Sequence, residues 1–100
     1  MRSISIVAVA LLASHVLSAQ TTSRSSRTGA QLFRVYCQKC HSTDATKSLA
    51  PSLYHAMSPK GLSESQMRRI ISDGKNTMPP FNRRLTAKEL DRLIEYLKTL

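Results

Sequence analysis

The sequence has no tryptophan, two cysteines, three glycines and only five aromatic residues in 100. So few bulky side chains cannot fill a core of ordinary size. A domain this small draws on a metal, a disulfide or a cofactor as well. Acidic residues are also scarce: six Asp and Glu stand against fifteen Lys and Arg, a formal net charge of +9. Almost nothing reads as strand, which leaves sheet architectures without a signal. No internal repeat is visible. No nucleic-acid reading motif accompanies the basic charge, so nucleic acid is not the expected partner.

What is present begins with an apolar run at the N-terminus. Arg2 precedes Ile4–Ala13, and "SHVLSAQ" closes the run with small residues. This is the layout of a secretory signal peptide over 1–19, with cleavage after Ser18 or Ala19. No Cys at the boundary marks a lipoprotein. As an anchor, Ile4–Leu17 is short for a span and is interrupted by His15, so no stable membrane insertion is expected after cleavage. The expectation is an exported, periplasmic bacterial protein. After removal of 1–19, fourteen basic residues face six acidic ones, a net +8. Residues 20–27 are polar, rich in Ser, Thr and Arg, and read as a flexible leader. Residues 28–100 remain as one domain, expected to be monomeric.

That domain reads as all-α, with three main helices. The first spans roughly Thr28 to Lys39, capped by Thr28, with Leu32, Phe33, Val35 and Tyr36 on its apolar face. The second covers about Ser63 to Asp73. Ser63 and Gln66 form a capping box, Leu62 and Met67 a hydrophobic staple, and Gly74 sits where a left-handed terminal residue belongs. The third starts at Thr86 with Glu89 as its capping partner, and Leu90, Leu93, Ile94, Leu97 and Leu100 follow helical spacing. Between the first two lie about 20 residues, His41 to Gly61, without clear period. A loop of that length in a compact domain makes sense if it wraps something that is not protein; the same holds for Lys75 to Arg84.

Both cysteines fall in "CQKCHS", Cys37 to Ser42. A structural zinc site needs four ligands, and beyond Cys37, Cys40, His41 and His55 the usual second pair is missing. A dithiol redox site belongs after a strand in a βαβ unit, and there is none. A disulfide between Cys37 and Cys40 would close almost no chain. The fourth reading uses every residue. Cys37 and Cys40 lie one helical turn apart, their thiolates can add to two vinyl groups on a haem edge, and His41 then reaches the iron. C-x-x-C-H is a c-type haem attachment signature, and one covalent haem would supply the apolar body that the composition lacks.

Met78 is the candidate second axial ligand. It lies in "TMPPF", where Pro79 pushes it toward extended geometry and Pro79 with Pro80 stiffens the strap around a flexible thioether. His55 is the rival. Met57 and Met67 read as core packing. If Met78 does not ligate, the alternative is a haem enzyme or gas-binding protein of peroxidase-like kind.

Together these segments resemble the class I mono-haem c-type cytochromes over about Gly29 to Leu97. "GAQLFRVYCQKCH" is similar to the family's first helix and haem motif, and "IISDGKNTMPPF" to its helix, Gly turn and Met strap. "APSL", Ala50 to Leu53, is similar to its loop after the histidine. The resemblance implies a small cytochrome c fold, three helices and loops around one haem c attached through Cys37 and Cys40. It implies His41 and Met78 as iron ligands, and Pro51 and Leu53 as cofactor contacts. In the family the carbonyl of the Pro51 position accepts a bond from the ligand histidine. Leu93 and Tyr96 match the pair that crosses Gly29 and Phe33. Two departures stand out: Ala50 replaces a common loop glycine, and the tryptophan often found near a propionate is absent. The implied function is single-electron transfer, as a free carrier or as the haem subunit of a dehydrogenase or oxidase, and not catalysis. Lys39, Lys47, Lys75, Arg83 and Arg84 flank the expected haem-contacting segments. A basic ring there would steer weak, transient encounters with acidic redox proteins.

Overall fold

A computed structural model describes residues 10, 26–46 and 48–100. The expected signal peptide, most of the leader and Lys47 lie outside the described residues. Three helices carry the fold: α1, Gly29–Tyr36; α2, Glu64–Asp73; and α3, Ala87–Leu97. Among the described residues no strand occurs; one isolated bridge pairs Lys75 with Met78. None of the described helices is long and apolar enough to cross a membrane.

Each helix starts as its sequence dictates. Thr28, Ser63 and Thr86 hold extended backbone and accept from the N–H of the third helical residue, while Gln31, Gln66 and Glu89 reach back to the cap N–H. Three reciprocal capping boxes thus satisfy the donors that a helix start leaves orphaned. The Glu89 side chain is buried, and its bond from the Thr86 N–H, 3.0 Å long, offsets the cost of placing a polar group there.

The helix ends depart from expectation. α1 stops at Tyr36, not Lys39, because the N–H groups of Cys37 and Gln38 both turn onto the Phe33 carbonyl, at 2.8 and 3.0 Å. Val35 is 46% exposed and is not part of the buried face. The stripe runs through Gly29, Leu32 and Phe33, and Val35 falls off its edge on a helical projection. At the end of α2, Gly74 has φ 77° but ψ 171°. Its φ is positive as expected, but its ψ is extended and not left-handed helical. That region is essentially open to glycine only.

The core is a single cluster of Leu32, Phe33, Met67, Ile71, Phe81, Leu85, Leu93, Ile94 and Leu97. Leu93 and Ile94 of α3 are fully buried, as is Leu32 of α1. The main helix contact is the crossing of α1 on α3. A Cβ on Gly29 would sit 2.2 Å from the Arg92 carbonyl oxygen and 2.6 Å from Tyr96 Cβ. Glycine therefore sets how closely the two backbones approach. Phe33 and Tyr96 fill the space beside it, ring centroids 5.6 Å apart at 50°. The Arg27 carbonyl also accepts from Arg92 Nε at 2.8 Å, tying the chain ahead of α1 to α3.

α2 joins α3 on the surface through ion pairs. Arg68 bridges Glu64 and Asp91 at 3.0 and 2.6 Å, and Lys98 bridges Glu64 and Glu95, both at 2.8 Å. Lys98 and then Arg68 hold the Glu64 carboxyl below its ordinary range. These groups are exposed, so the network orients the helices more than it stabilises them.

Gly29→Ala tests the crossing. A methyl there must displace backbone, so we expect a loss of about 1–3 kcal/mol in chemical denaturation, with α3 amides exchanging faster. An unchanged midpoint would show that the helices do not depend on this contact.

Candidate functional site

The Cys37–His41 segment leaves α1 as one more helical-type turn. The N–H groups of Cys40 and His41 both donate to the Cys37 carbonyl, at 3.1 and 3.0 Å. The two sulfur positions are therefore one turn apart on a segment anchored to α1. The thiols are not joined to each other. Burial pushes the Cys37 thiol up to about 11.

His41 is oriented by the following loop. Its Nδ1 lies 2.7 Å from the Pro51 carbonyl oxygen. A carbonyl only accepts, so Nδ1 carries the proton and donates. The lone pair of Nε2 is then left for a metal, and the bond raises its basicity. Pro51, itself without an N–H, contributes only its carbonyl here.

The loop reaches this position through short-range bonds. The Ala50 N–H donates to the Cys40 carbonyl and the Leu53 N–H to the Ser42 carbonyl, both at 2.9 Å. Ser42 bonds the Thr46 carbonyl, and Ser52 bonds the Asp44 carbonyl. The Asp44 carboxyl accepts from the Thr46 hydroxyl and N–H and lies below its ordinary range for that reason. What lacks apolar periodicity in sequence is thus held by hydroxyl and Asx-type contacts. These bonds place Leu53, half-buried against the core cluster, close behind the histidine in the chain.

The strap carrying Met78 is built at the end of α2. Lys75 and Met78 exchange both backbone bonds, at 3.2 and 2.9 Å, around a two-residue turn in which Asn76 has φ 54°. Such turns demand positive φ, and Asn tolerates it. Gly74 lies under the strap: a Cβ there would meet the Met78 carbonyl oxygen at 2.5 Å and Pro80 N at 3.0 Å. Beyond the prolines, the Phe81 N–H donates to the Ile71 carbonyl at 2.9 Å, returning the chain to α2. Met78 is half-buried and packs against the core cluster, as do Cys37 and Leu53.

The rival histidine sits on the surface, its backbone tied to the C-terminal residue. His55 is exposed, with its ring stacked on Tyr54 at 3.9 Å and its N–H bonded to the Leu100 carbonyl at 3.0 Å. Its φ of 55° went unforeseen. Met67 is core, and Met57 packs half-buried on it. Of the flanking cations, Lys39, Lys75, Arg83 and Arg84 are all exposed. Tyr36, read from the sequence only as part of an apolar face, meets Phe81 of the strap edge-on. The signal available for that contact was its place directly before Cys37.

An all-α domain with a C-x-x-C-H turn behind its first helix, and a Met-Pro-Pro strap behind its second, defines a small class I c-type cytochrome. The family model described as "Cytochrome C oxidase, cbb3-type, subunit III" matches residues 24–97, and the chain belongs to this family. Cytochrome c-555 of Methylococcus capsulatus is 33% identical over 72 residues, an alignment covering 66% of this chain and 57% of that protein. The chain thus spans less than two thirds of the length of that relative. Membership implies a haem c, and the donors present fit one. The two cysteines are free of each other and one turn apart, and the imidazole has Nδ1 engaged and Nε2 available.

Gly74→Ala is predicted to disturb the strap. The methyl would collide with Met78 and Pro80 backbone and force an unfavourable φ, at a cost of about 1–3 kcal/mol. Faster exchange of the Met78 and Phe81 amides than of α1 and α3 amides would locate the effect. Uniform destabilisation would place Gly74 in the fold at large.

Proposed function

We propose that this protein is an exported electron carrier. In this reading it binds one haem c covalently through Cys37 and Cys40, with His41 and Met78 as axial ligands. The observation that carries the reading is the 2.7 Å bond between His41 Nδ1 and the Pro51 carbonyl. It fixes the tautomer and the ring, and a histidine so held is a prepared metal ligand. The haem supplies a one-electron iron couple, whose potential His/Met ligation raises. The chain's own residues do the rest. Cys37 and Cys40 hold the group to α1, and His41 is kept from rotating by Pro51. Met78 is kept at hand by the hairpin, by Gly74 and by Pro79. If His41 and Met78 both held the iron, no position would be left for O₂ or peroxide, which would separate a carrier from an oxygen-handling enzyme. Leu53 joins the apolar surround, and the exposed cations of the 75–84 stretch are candidates for propionates.

The reading extends to location and partners. An exported protein suits the signal-peptide pattern of 1–19, with transfer taking place in the periplasm. The carrier acts alone or as the haem subunit of a larger oxidoreductase, an oxidase being the kind that the family description names. Lys39, Lys75, Arg83 and Arg84 are exposed on the attachment turn, the strap and the segment beyond it. They suit brief encounters with acidic redox proteins, small in area and screened by salt.

A pyridine haemochrome spectrum of the purified holoprotein tests the central claim: two thioether links give the spectrum of haem c, and its absence removes the reading. In the same preparation, Met78→Ala should abolish the ferric Fe–S charge-transfer band and let the ferrous protein bind CO rapidly. A wild type that already binds CO rapidly and lacks the band would favour the peroxidase-like alternative. For partners, the bimolecular transfer rate with an acidic redox protein should fall steeply as ionic strength rises. A rate independent of salt would remove the steering claim.

A further inference from the structure

We propose that Tyr36 is a positioning residue for the Met78 strap, acting through Phe81. Tyr36 is the residue immediately before Cys37. Phe81 is the residue immediately after the Pro79–Pro80 pair that follows Met78. Their rings meet edge to face, centroids 5.8 Å apart and planes at 74°. The quadrupoles of two aromatic rings favour this arrangement, so the pair has a preferred geometry and not merely a preferred distance. Among the described residues it is the one aromatic pair that joins the end of α1 to the strap.

The surroundings of Phe81 explain why one contact matters. Its N–H is bonded to the Ile71 carbonyl, and its own carbonyl accepts from the Arg84 and Leu85 N–H groups at 2.9 and 3.0 Å. The backbone at 81 is therefore fixed at the junction of α2, the strap and the turn into α3. The ring is buried, but it also lines a cleft with Ile71, Leu85 and Leu90, so packed side chains do not enclose it completely. Arg84 lies over it at 5.6 Å, an exposed and flexible partner. Tyr36, at the last turn of α1, is the neighbour on a rigid element. Its hydroxyl lies 3.5 Å from the Arg84 carbonyl oxygen, at the limit of a hydrogen bond, so the ring and not the hydroxyl carries the contact.

The strap has two ends. The 75–78 hairpin sets the first, and Phe81, bonded to Ile71 and packed against the Tyr36 ring, sets the second. Between them stand Met78 and two prolines with little freedom of their own. Loss of the second anchor leaves the strap held from the α2 side alone, so the Lys75–Met78 bonds open more often and Met78 moves with the prolines.

The inference builds on the proposed Met78 ligation, and the test separates the two. Amide exchange is measured in holoprotein for wild type, Tyr36→Ala, Tyr36→Phe and Phe81→Leu. Tyr36→Ala should speed exchange at Met78 and Phe81 by about two- to tenfold, the range that loss of an aromatic pair produces. Leu93 and Ile94 should be unchanged. Tyr36→Phe should restore the wild-type rate, and Phe81→Leu should match Tyr36→Ala, with no further effect in the double variant. In the same samples the ferric Fe–S band should weaken in Tyr36→Ala and return in Tyr36→Phe. Unchanged exchange at Met78 and Phe81 overturns the proposal, as does an equal increase at Leu93 and Ile94. If Met78→Ala leaves the spectrum of the wild type unaltered, the ligation reading fails, while the exchange rates still decide whether Tyr36 holds the strap.

Discussion

The crossing of α1 over α3 at Gly29 is the constraint on which the rest depends. α1 is only eight residues long, too short to persist in water without tertiary support. α3, with Leu93 and Ile94 fully buried, supplies that support. Because Gly29 lets the backbones touch, the far end of α1 is placed, and the Cys37–His41 turn grows directly from it. A chemical motif that depends on fixed spacing is thereby mounted on the most buried part of the molecule.

Two devices of different kinds then bring the ligand candidates to bear. The histidine is controlled by one hydrogen bond from a loop that is itself held by Ser, Thr and Asp contacts. The methionine is controlled by backbone sterics: a glycine beneath, an asparagine at positive φ and two prolines behind. The difference follows from the side chains. An imidazole has a second nitrogen through which it can be oriented, whereas a thioether has none, so a methionine can be fixed only through its backbone and its packing.

Much of this was legible in the sequence because it is local. The Thr28 cap, the capping boxes at Ser63 and Thr86, the Cys–His spacing and the Pro after Met78 each act within a few residues, and the helices start where those signals place them. The crossing at Gly29 was accessible through family resemblance and not through periodicity. What could not be read is long-range. The end of α1 at Tyr36 depends on two N–H groups sharing the Phe33 carbonyl, which no propensity encodes. The exposure of Val35 depends on where α3 lies. The contact of Tyr36 with Phe81 joins residues 45 apart in sequence, and the fate of His55 depends on the position of Leu100. Gly74 shows the boundary between the two kinds of information. That a glycine was required at the end of α2 was plain, but its extended ψ is set by the strap above it.

The distribution of charge follows the same division. Glu64 and Glu89 lie in first helical turns, where the helix dipole favours a carboxylate. Glu64, Asp91 and Glu95 pair with Arg68 and Lys98 across α2 and α3. Asp44 is bound by its own loop. Each of these five acids is tied to a structural partner, while the sixth, Asp73, is exposed at the end of α2, two residues before Lys75. The cations at Lys39, Lys75, Arg83 and Arg84 stand on exposed turns instead. Opposite charges paired at short range cancel within about a Debye length, which leaves the exposed cations outside these pairs to set the longer-range potential. In the proposed function, the cations at Lys39, Lys75, Arg83 and Arg84 are the charges that an acidic partner would meet.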